Sequence, residues 1–274
     1  MELHSHSAAR LVIVYKGSYV KYRTLKNIKE SGCTIFCVFP DISPYNHKSL
    51  DLRCFGLYDH LYSAKTFCRS TFQGIVDLNK ITHLNHGSDP IVHRPMPRAE
   101  NEDWYCDVVF IGGWSPSKEE KMSAVIDNLP HLRVHIFGKG WEKSSPLVRR
   151  NWKKSPVYGD LYAKNISMSR INLGLLHEIP EPGDNVTART FEIPGCRGFL
   201  LHQYSKELED VLEPGLECGV FHSNEELITR IQYYLEKEKE RENIAHNGFK
   251  RVQKDHEYSS RAATIWKSYL ASFE

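Results

Sequence analysis

Gly183-Asp184-Asn185-Val186-Thr187-Ala188-Arg189-Thr190-Phe191-Glu192-Ile193-Pro194-Gly195-Cys196-Arg197-Gly198-Phe199-Leu200-Leu201 is the stretch that decides the reading. It opens with turn formers, runs into a short helix-like segment, breaks at Gly195 and Gly198, and ends in an apolar strand. A helix beginning near Val186 points the unpaired backbone N–H groups of its first turn, those around Val186 and Thr187, at whatever lies in front. Such a terminus suits a phosphate. Arg189 adds a fixed cation, and Glu192 can accept hydrogen bonds from two vicinal hydroxyls, as on a ribose. The same residues also fit a plainer scheme, with Arg189 salt-bridged to Asp184 or Glu192 and Glu192 complementing the helix dipole.

Composition narrows the class. The chain has 274 residues, enough for one large domain or two modest ones. Hydrophobic content of 41% and charged content of 26% are ordinary for a globular protein. A formal charge of +2 is too small to argue for nucleic acid or an anionic membrane as partner, and no nucleic-acid partner is expected. No run approaches the roughly 20 apolar residues of a membrane span, and Met1 to Arg10 lacks the apolar core of a secretory signal. The 7 cysteines are scattered without a Cys-x-x-Cys pair, which predicts reduced thiols and a cytoplasmic protein. No His/Cys cluster has zinc spacing, so neither a metal site nor a cofactor is expected.

Working outward, the chain alternates strands and helices. Leu11–Tyr15, Thr34–Phe39, Tyr58–Ser63 and Ile81–Asn85 read as strands, with a helix over Val20–Ser31 closing the first βαβ unit. His93-Arg94-Pro95-Met96-Pro97-Arg98 reads as a linker. Beyond it, strands are expected at 107–111, 134–137, 171–176, 198–202 and 217–221. Ser117 with Glu120, and Ser223 with Glu226, read as capping boxes. Polar-faced helix closes the chain, broken near His256-Glu257, and Glu236–Glu242 reads as a solvated helix junction. The expectation is therefore an α/β protein with two Rossmann-like domains, 1–95 and 96–257, followed by a terminal helix over 258–274.

Arg189-Thr190-Phe191-Glu192-Ile193-Pro194-Gly195-Cys196-Arg197-Gly198-Phe199-Leu200-Leu201 resembles the donor-site segment of GT-B glycosyltransferases, in particular the spore-maturation CgeB-like group of the family 1 or family 4 type. Tyr15-Lys16-Gly17, Phe39-Pro40-Asp41 and Leu84–Pro90 through Arg94-Pro95 resemble the same group, so the likeness covers most of the chain. Those enzymes often carry two glutamates with seven residues between them; here Asp184 takes the first place and Glu192 the second. The resemblance implies a GT-B-like pair of domains whose parallel sheets face a cleft, with an abbreviated first domain and a last helix that crosses back to it. It implies a nucleotide-sugar donor on the second domain, an acceptor on the first, and retention of anomeric configuration.

In open parallel sheets ligands sit beyond the carboxyl ends of the strands. Gly112 and Gly113 stand there as a structural turn or as a loop that admits a diphosphate. Lys139 stands in a Gly-Lys-Gly turn, Lys118 and Lys121 read equally as ligands or as a solvated helix face, and Tyr158 is a core residue or, as the resemblance implies, the wall of a base site. The expected donor-site set is Gly112, Gly113, Lys139, Tyr158, Asp184, Val186, Thr187, Arg189 and Glu192. The expected catalytic set is His86 as general base, Asp41 and Arg189. These predict metal-independent transfer of a sugar from a nucleoside-diphosphate sugar to a glycan, small-molecule or protein hydroxyl, with Arg189, Lys139 and backbone N–H groups stabilising the leaving diphosphate. A non-catalytic nucleotide-sugar-binding regulator and a nucleotide-sugar epimerase on the same fold are the alternatives.

Overall fold

A computed structural model describes residues 10–97, 105–177 and 186–272. The chain divides into two compact units, one of residues up to His86 with those from Arg261 onward, the other of Gly87–Ser260. The division falls after His86 where the sequence suggests Pro95. Residues 87–96 carry contacts of the second unit: Met96 N–H donates to Ser167 Oγ (3.0 Å), and Arg94 pairs with Asp160 (2.8 Å).

The first unit contains four parallel strands, β1 (Leu11–Tyr15), β2 (Thr34–Phe39), β3 (His60–Ser63) and β4 (Ile81–His83), in the order β1-β2-β3-β4. Helix α1 (Tyr22–Glu30) forms the first crossover and buries Leu25. It ends at Gly32, whose φ of +83° lies in the left-handed region that glycine enters without a Cβ penalty. Short helix α2 (Cys68–Thr71) links β3 to β4. One sheet face packs Ile35, Cys37, Phe39 and Leu61 with Leu25, Phe55 and Phe72. On the other face Phe36 and Tyr62 meet Ile265 and Tyr269.

The second unit holds β5 (Cys106–Ile111), β6 (Val134–Phe137), β7 (Ser169–Gly174), β8 (Leu200–Gln203) and β9 (Gly219–Phe221), all parallel. Its helices are α3 (Pro116–Asn128), α4 (Pro146–Arg149), α5 (Asp160–Ser167), α6 (Ala188–Gly195), α7 (Asn224–Glu236) and α8 (Glu238–Asp255). Both faces of the sheet are covered, so the strands read as near-continuous apolar runs. Val108 and Phe110 of β5 pack with α3 and α7 through Met122, Val125, Leu227 and Ile231. Cys106 and Val109 point the other way, into a core with Ile166, Phe191 and Val252 from α5, α6 and α8. The last helix, α9 (Tyr258–Ala271), begins in the second unit and ends in the first.

Three local expectations change. Helix α3 is capped by Ser115, whose hydroxyl accepts from Lys118 N–H, with Pro116 in the first turn. Proline suits that position because its missing N–H has no intrahelical partner there, and this moves the cap two residues before Ser117. At the 236–242 junction Arg241 is buried and donates to Tyr234 O (2.6 Å), so the sign-alternating run is not wholly solvated. Helix α6 starts at Ala188 rather than Val186, with Thr187 as its N-cap.

The order β6-β5-β7-β8-β9 places the functional site. The chain leaves β5 to one side for β6 and returns to its other side for β7. The two exits diverge and open a crevice at the carboxyl ends of β5 and β7. Within the first sheet the described strands follow in sequence, so no reversal occurs there.

Candidate functional site

Arg189 occupies that crevice. It projects from the first turn of α6 and donates to Leu175 O, just beyond β7, at 2.9 Å. Its guanidinium carbon stands 5.3 Å from the ring centre of Phe110 on β5, a cation–π distance. A Cβ at Gly112 would come within 2.9 Å of an Arg189 nitrogen and 2.7 Å of Phe110, so only glycine leaves room for the guanidinium. Among the described residues Arg189 Nε has no hydrogen-bond partner. Burial pulls the pKa of this arginine down, while Tyr162 and Glu192 push it back up. A cation short of donors' partners at a switch point is suited to an anion. Among the described residues no ion pair joins it to Glu192, and Asp184 lies outside the described residues.

Two glycine turns wall the crevice on the β6 side. Gly112 N–H donates to Phe137 O (2.9 Å), and Trp114 N–H to Lys139 O (2.9 Å). A Cβ on Gly138 (φ +128°) would lie 2.2 Å from Gly112 O, so the turns touch backbone to backbone. Indole N–H groups brace them: Trp141 donates to Gly112 O (2.9 Å) and Trp152 to Gly138 O (3.0 Å). Gly112 thus shapes the site, while its N–H is spent on the sheet. Gly113 and Lys139 are exposed at the rim, and Tyr158 is exposed just before α5. Lys118 and Lys121 are buried, contrary to a solvated helix face. Burial and the charge of Lys118 both lower the pKa of His177, which follows β7.

Glu192 sits one turn along α6 with a fifth of its side chain exposed, and His93 Nε2 is 3.7 Å from its Oε1. His93 Nδ1 accepts from Asp89 N–H (3.0 Å), so the neutral ring carries its proton on Nε2, facing the carboxylate. Burial, and then the Glu192 charge, push the Tyr162 hydroxyl well above its ordinary pKa. Val186 and Thr187 are buried at the start of α6, where Thr187 N–H donates to Thr190 Oγ1 (3.1 Å).

In the first unit Asp41, after β2, is held by Lys16 Nζ (2.7 Å) and His47 Nε2 (3.1 Å). Lys16 has φ of +61°, a strained value for a residue with a Cβ. His86 follows β4, and β3 lies between β2 and β4. Its backbone carbonyl accepts two hydrogen bonds from Arg261 (3.1 and 2.8 Å). No group of three or more His, Cys, Asp or Glu among the described residues is placed to hold a metal.

The family model described as glycosyl transferase-like matches residues 118–267, more than half of the chain. The chain belongs to the glycosyl transferase-like family. A search of the curated proteins found no match. Among solved structures, sucrose-phosphate synthase from Thermosynechococcus elongatus superposes with a TM-score of 0.69 at 12% identity, over 99% of this chain and 76% of that one. Anabaena HepE in complex with UDP-glucose gives 0.67 at 12% identity, over 94% and 78%. A glycosyltransferase from Rickettsia africae gives 0.65 at 10% identity, over 94% and 76%. This is the GT-B glycosyltransferase fold, expected from the sequence and present over nearly the full chain.

Within this glycosyltransferase fold the structure gathers Arg189, Glu192, Gly112, Val186 and Thr187 around one sheet end. Four further residues near this sheet end lie outside the set expected from the sequence. For Lys118, helix periodicity does not separate a buried lysine from a solvated one. Phe110 reads as a core strand residue. His93 reads as linker, and Tyr162 carries no sequence reading of its own; their convergence on Glu192 is set by tertiary packing, with no local signal in the sequence.

Proposed function

We propose that this chain transfers a glycosyl group from a nucleoside-diphosphate sugar to an acceptor hydroxyl. The second unit takes the donor. Arg189 pairs with the diphosphate, Lys118 and Lys139 supply further positive charge, and Glu192 accepts from the ribose hydroxyls. Tyr158 is assigned to the base. The observation that carries this reading is Arg189 held at the β5/β7 switch point by Leu175 O and the Phe110 face, with room made by Gly112. HepE, which binds UDP and UDP-glucose, makes uridine the base to try first. The acceptor, a glycan, small molecule or protein, is assigned to the first unit, where Asp41, Lys16 and His47 meet and His86 serves as the general base.

As the glycosidic bond breaks, negative charge grows on the diphosphate, and a fixed guanidinium in a partly buried site stabilises that charge without reorganising. No metal is assigned to this step, and retention of configuration is the stereochemical outcome assigned. The seven cysteines, all buried and none in a disulfide, support a reducing compartment such as the cytoplasm. No described helix is long and apolar enough to cross a membrane.

The test is release of uridine diphosphate from UDP-sugars, with and without added sugar alcohols as acceptors. Release that persists in excess chelator and falls on the order of a hundredfold in Arg189→Met supports the reading. Binding without release or transfer favours a nucleotide-sugar-binding regulator, and conversion of the free donor without acceptor favours an epimerase.

A further inference from the structure

His202 is fully buried at the end of β8, and each of its ring nitrogens is engaged. Nδ1 lies 2.5 Å from Gln203 O. A carbonyl oxygen only accepts, so Nδ1 carries the proton. Nε2 of the neutral ring is then an acceptor, and its partner at 2.9 Å, the Thr190 hydroxyl, must donate to it. That commits the hydroxyl proton and leaves the Thr190 oxygen to accept from Thr187 N–H (3.1 Å). The chain of three bonds has one direction throughout, Thr187 N–H to Thr190 O–H to His202 to Gln203 O. The next side chain joins the same brace: Gln203 Oε1 accepts from Leu176 N–H (3.2 Å), beside the Leu175 carbonyl that holds Arg189. Room for the ring depends on Gly174, where a Cβ would lie 2.6 Å from His202 Cδ2.

We infer that His202 is a positioning residue for the donor site, fixing the first turn of α6, and with it Arg189, through the Thr190 hydroxyl. The inference rests on the donor reading above. Thr190 and Arg189 are neighbours in that turn, so a turn that loses its anchor at Thr190 also loses the aim of the guanidinium. The imidazole is kept neutral by burial, which holds its pKa at about 4, with the Arg189 charge opposing protonation as well. A protonated ring would have no lone pair for Thr190, so the neutral state keeps the relay intact.

The test compares two probes, uridine diphosphate and uridine, by calorimetric titration of the full chain. The variants are Thr190→Val, Thr190→Ser and His202→Phe. Thr190→Val keeps the side-chain volume and removes only the hydroxyl, so it reports even if His202→Phe fails to fold. The expected result is a loss of roughly tenfold in diphosphate affinity for Thr190→Val, unchanged uridine affinity, and near wild-type binding in Thr190→Ser. A purely structural role would lower both affinities together or neither, and either pattern overturns the inference. Wild-type protein that binds no uridine diphosphate overturns the donor reading itself, and is distinguished from wild-type binding that Thr190→Val leaves intact.

Discussion

At the scale of single residues, the site depends on polar groups whose partners are fixed by burial. Arg189 is the clearest case, because its hydrogen bond to Leu175 O, its aromatic floor and the glycine opposite all aim it into the crevice. The sequence made Arg189 and Glu192 legible through their spacing within a turn-flanked segment. It could not show His202, which reads as an ordinary strand position until the fold brings Thr190 against it. His202 also carries a pH signature. Its folded pKa is about 4, whereas an unfolded histidine sits near 6.5. The unfolded chain therefore binds more protons between those values, and stability falls as pH drops from about 6.5 towards 4. Urea unfolding is expected to show a loss of about 1–2 kcal/mol from this group between about pH 7 and pH 5. In His202→Gln that share of the slope should vanish, leaving the contributions of the carboxylates and of the other histidines whose pKa burial lowers, His135 among them.

At the scale of elements, strand exits do the positioning. Two glycine turns are locked by indole N–H groups of Trp141 and Trp152, so the β5 and β6 loops form one rigid wall. Most strands were readable as apolar runs ending in Gly, Pro or His, and the break at His256-Glu257 was readable as a loss of helical pattern. The start of α3 was not, because two serines and a proline offer competing caps and only the tertiary path selects Ser115. Glu119 enforces that choice by accepting from Trp114 Nε1 (2.6 Å) and Ser145 N–H (2.7 Å). Ser115→Ala is expected to cost about 1 kcal/mol in denaturant unfolding, while Ser117→Ala stays within about 0.5 kcal/mol. Equal losses would return the cap to Ser117.

At the scale of the whole molecule, two parallel sheets are built from the same βα repeat, yet only the second contains a strand-order reversal among the described residues. That topology, and not the count of charged residues, separates the proposed donor unit from its companion. The alternation of parallel strands and helices was legible because βαβ units admit few connections, whereas the strand order comes only from the fold. The membership of residues 87–96 in the second unit was not, since a proline-flanked segment looks like a linker until Met96 and Arg94 are seen bonded to α5. The proposed acceptor side rests on Asp41, Lys16 and His47, an ion-paired cluster around a strained backbone. The central claim is that Arg189 receives the diphosphate of a sugar nucleotide. Calorimetric titration of uridine diphosphate into wild type and Arg189→Met tests it most directly. Saturable binding by wild type, weakened on the order of tenfold to a hundredfold in Arg189→Met, is the predicted result; equal affinity in the two proteins, or no binding of any nucleoside diphosphate, would contradict it.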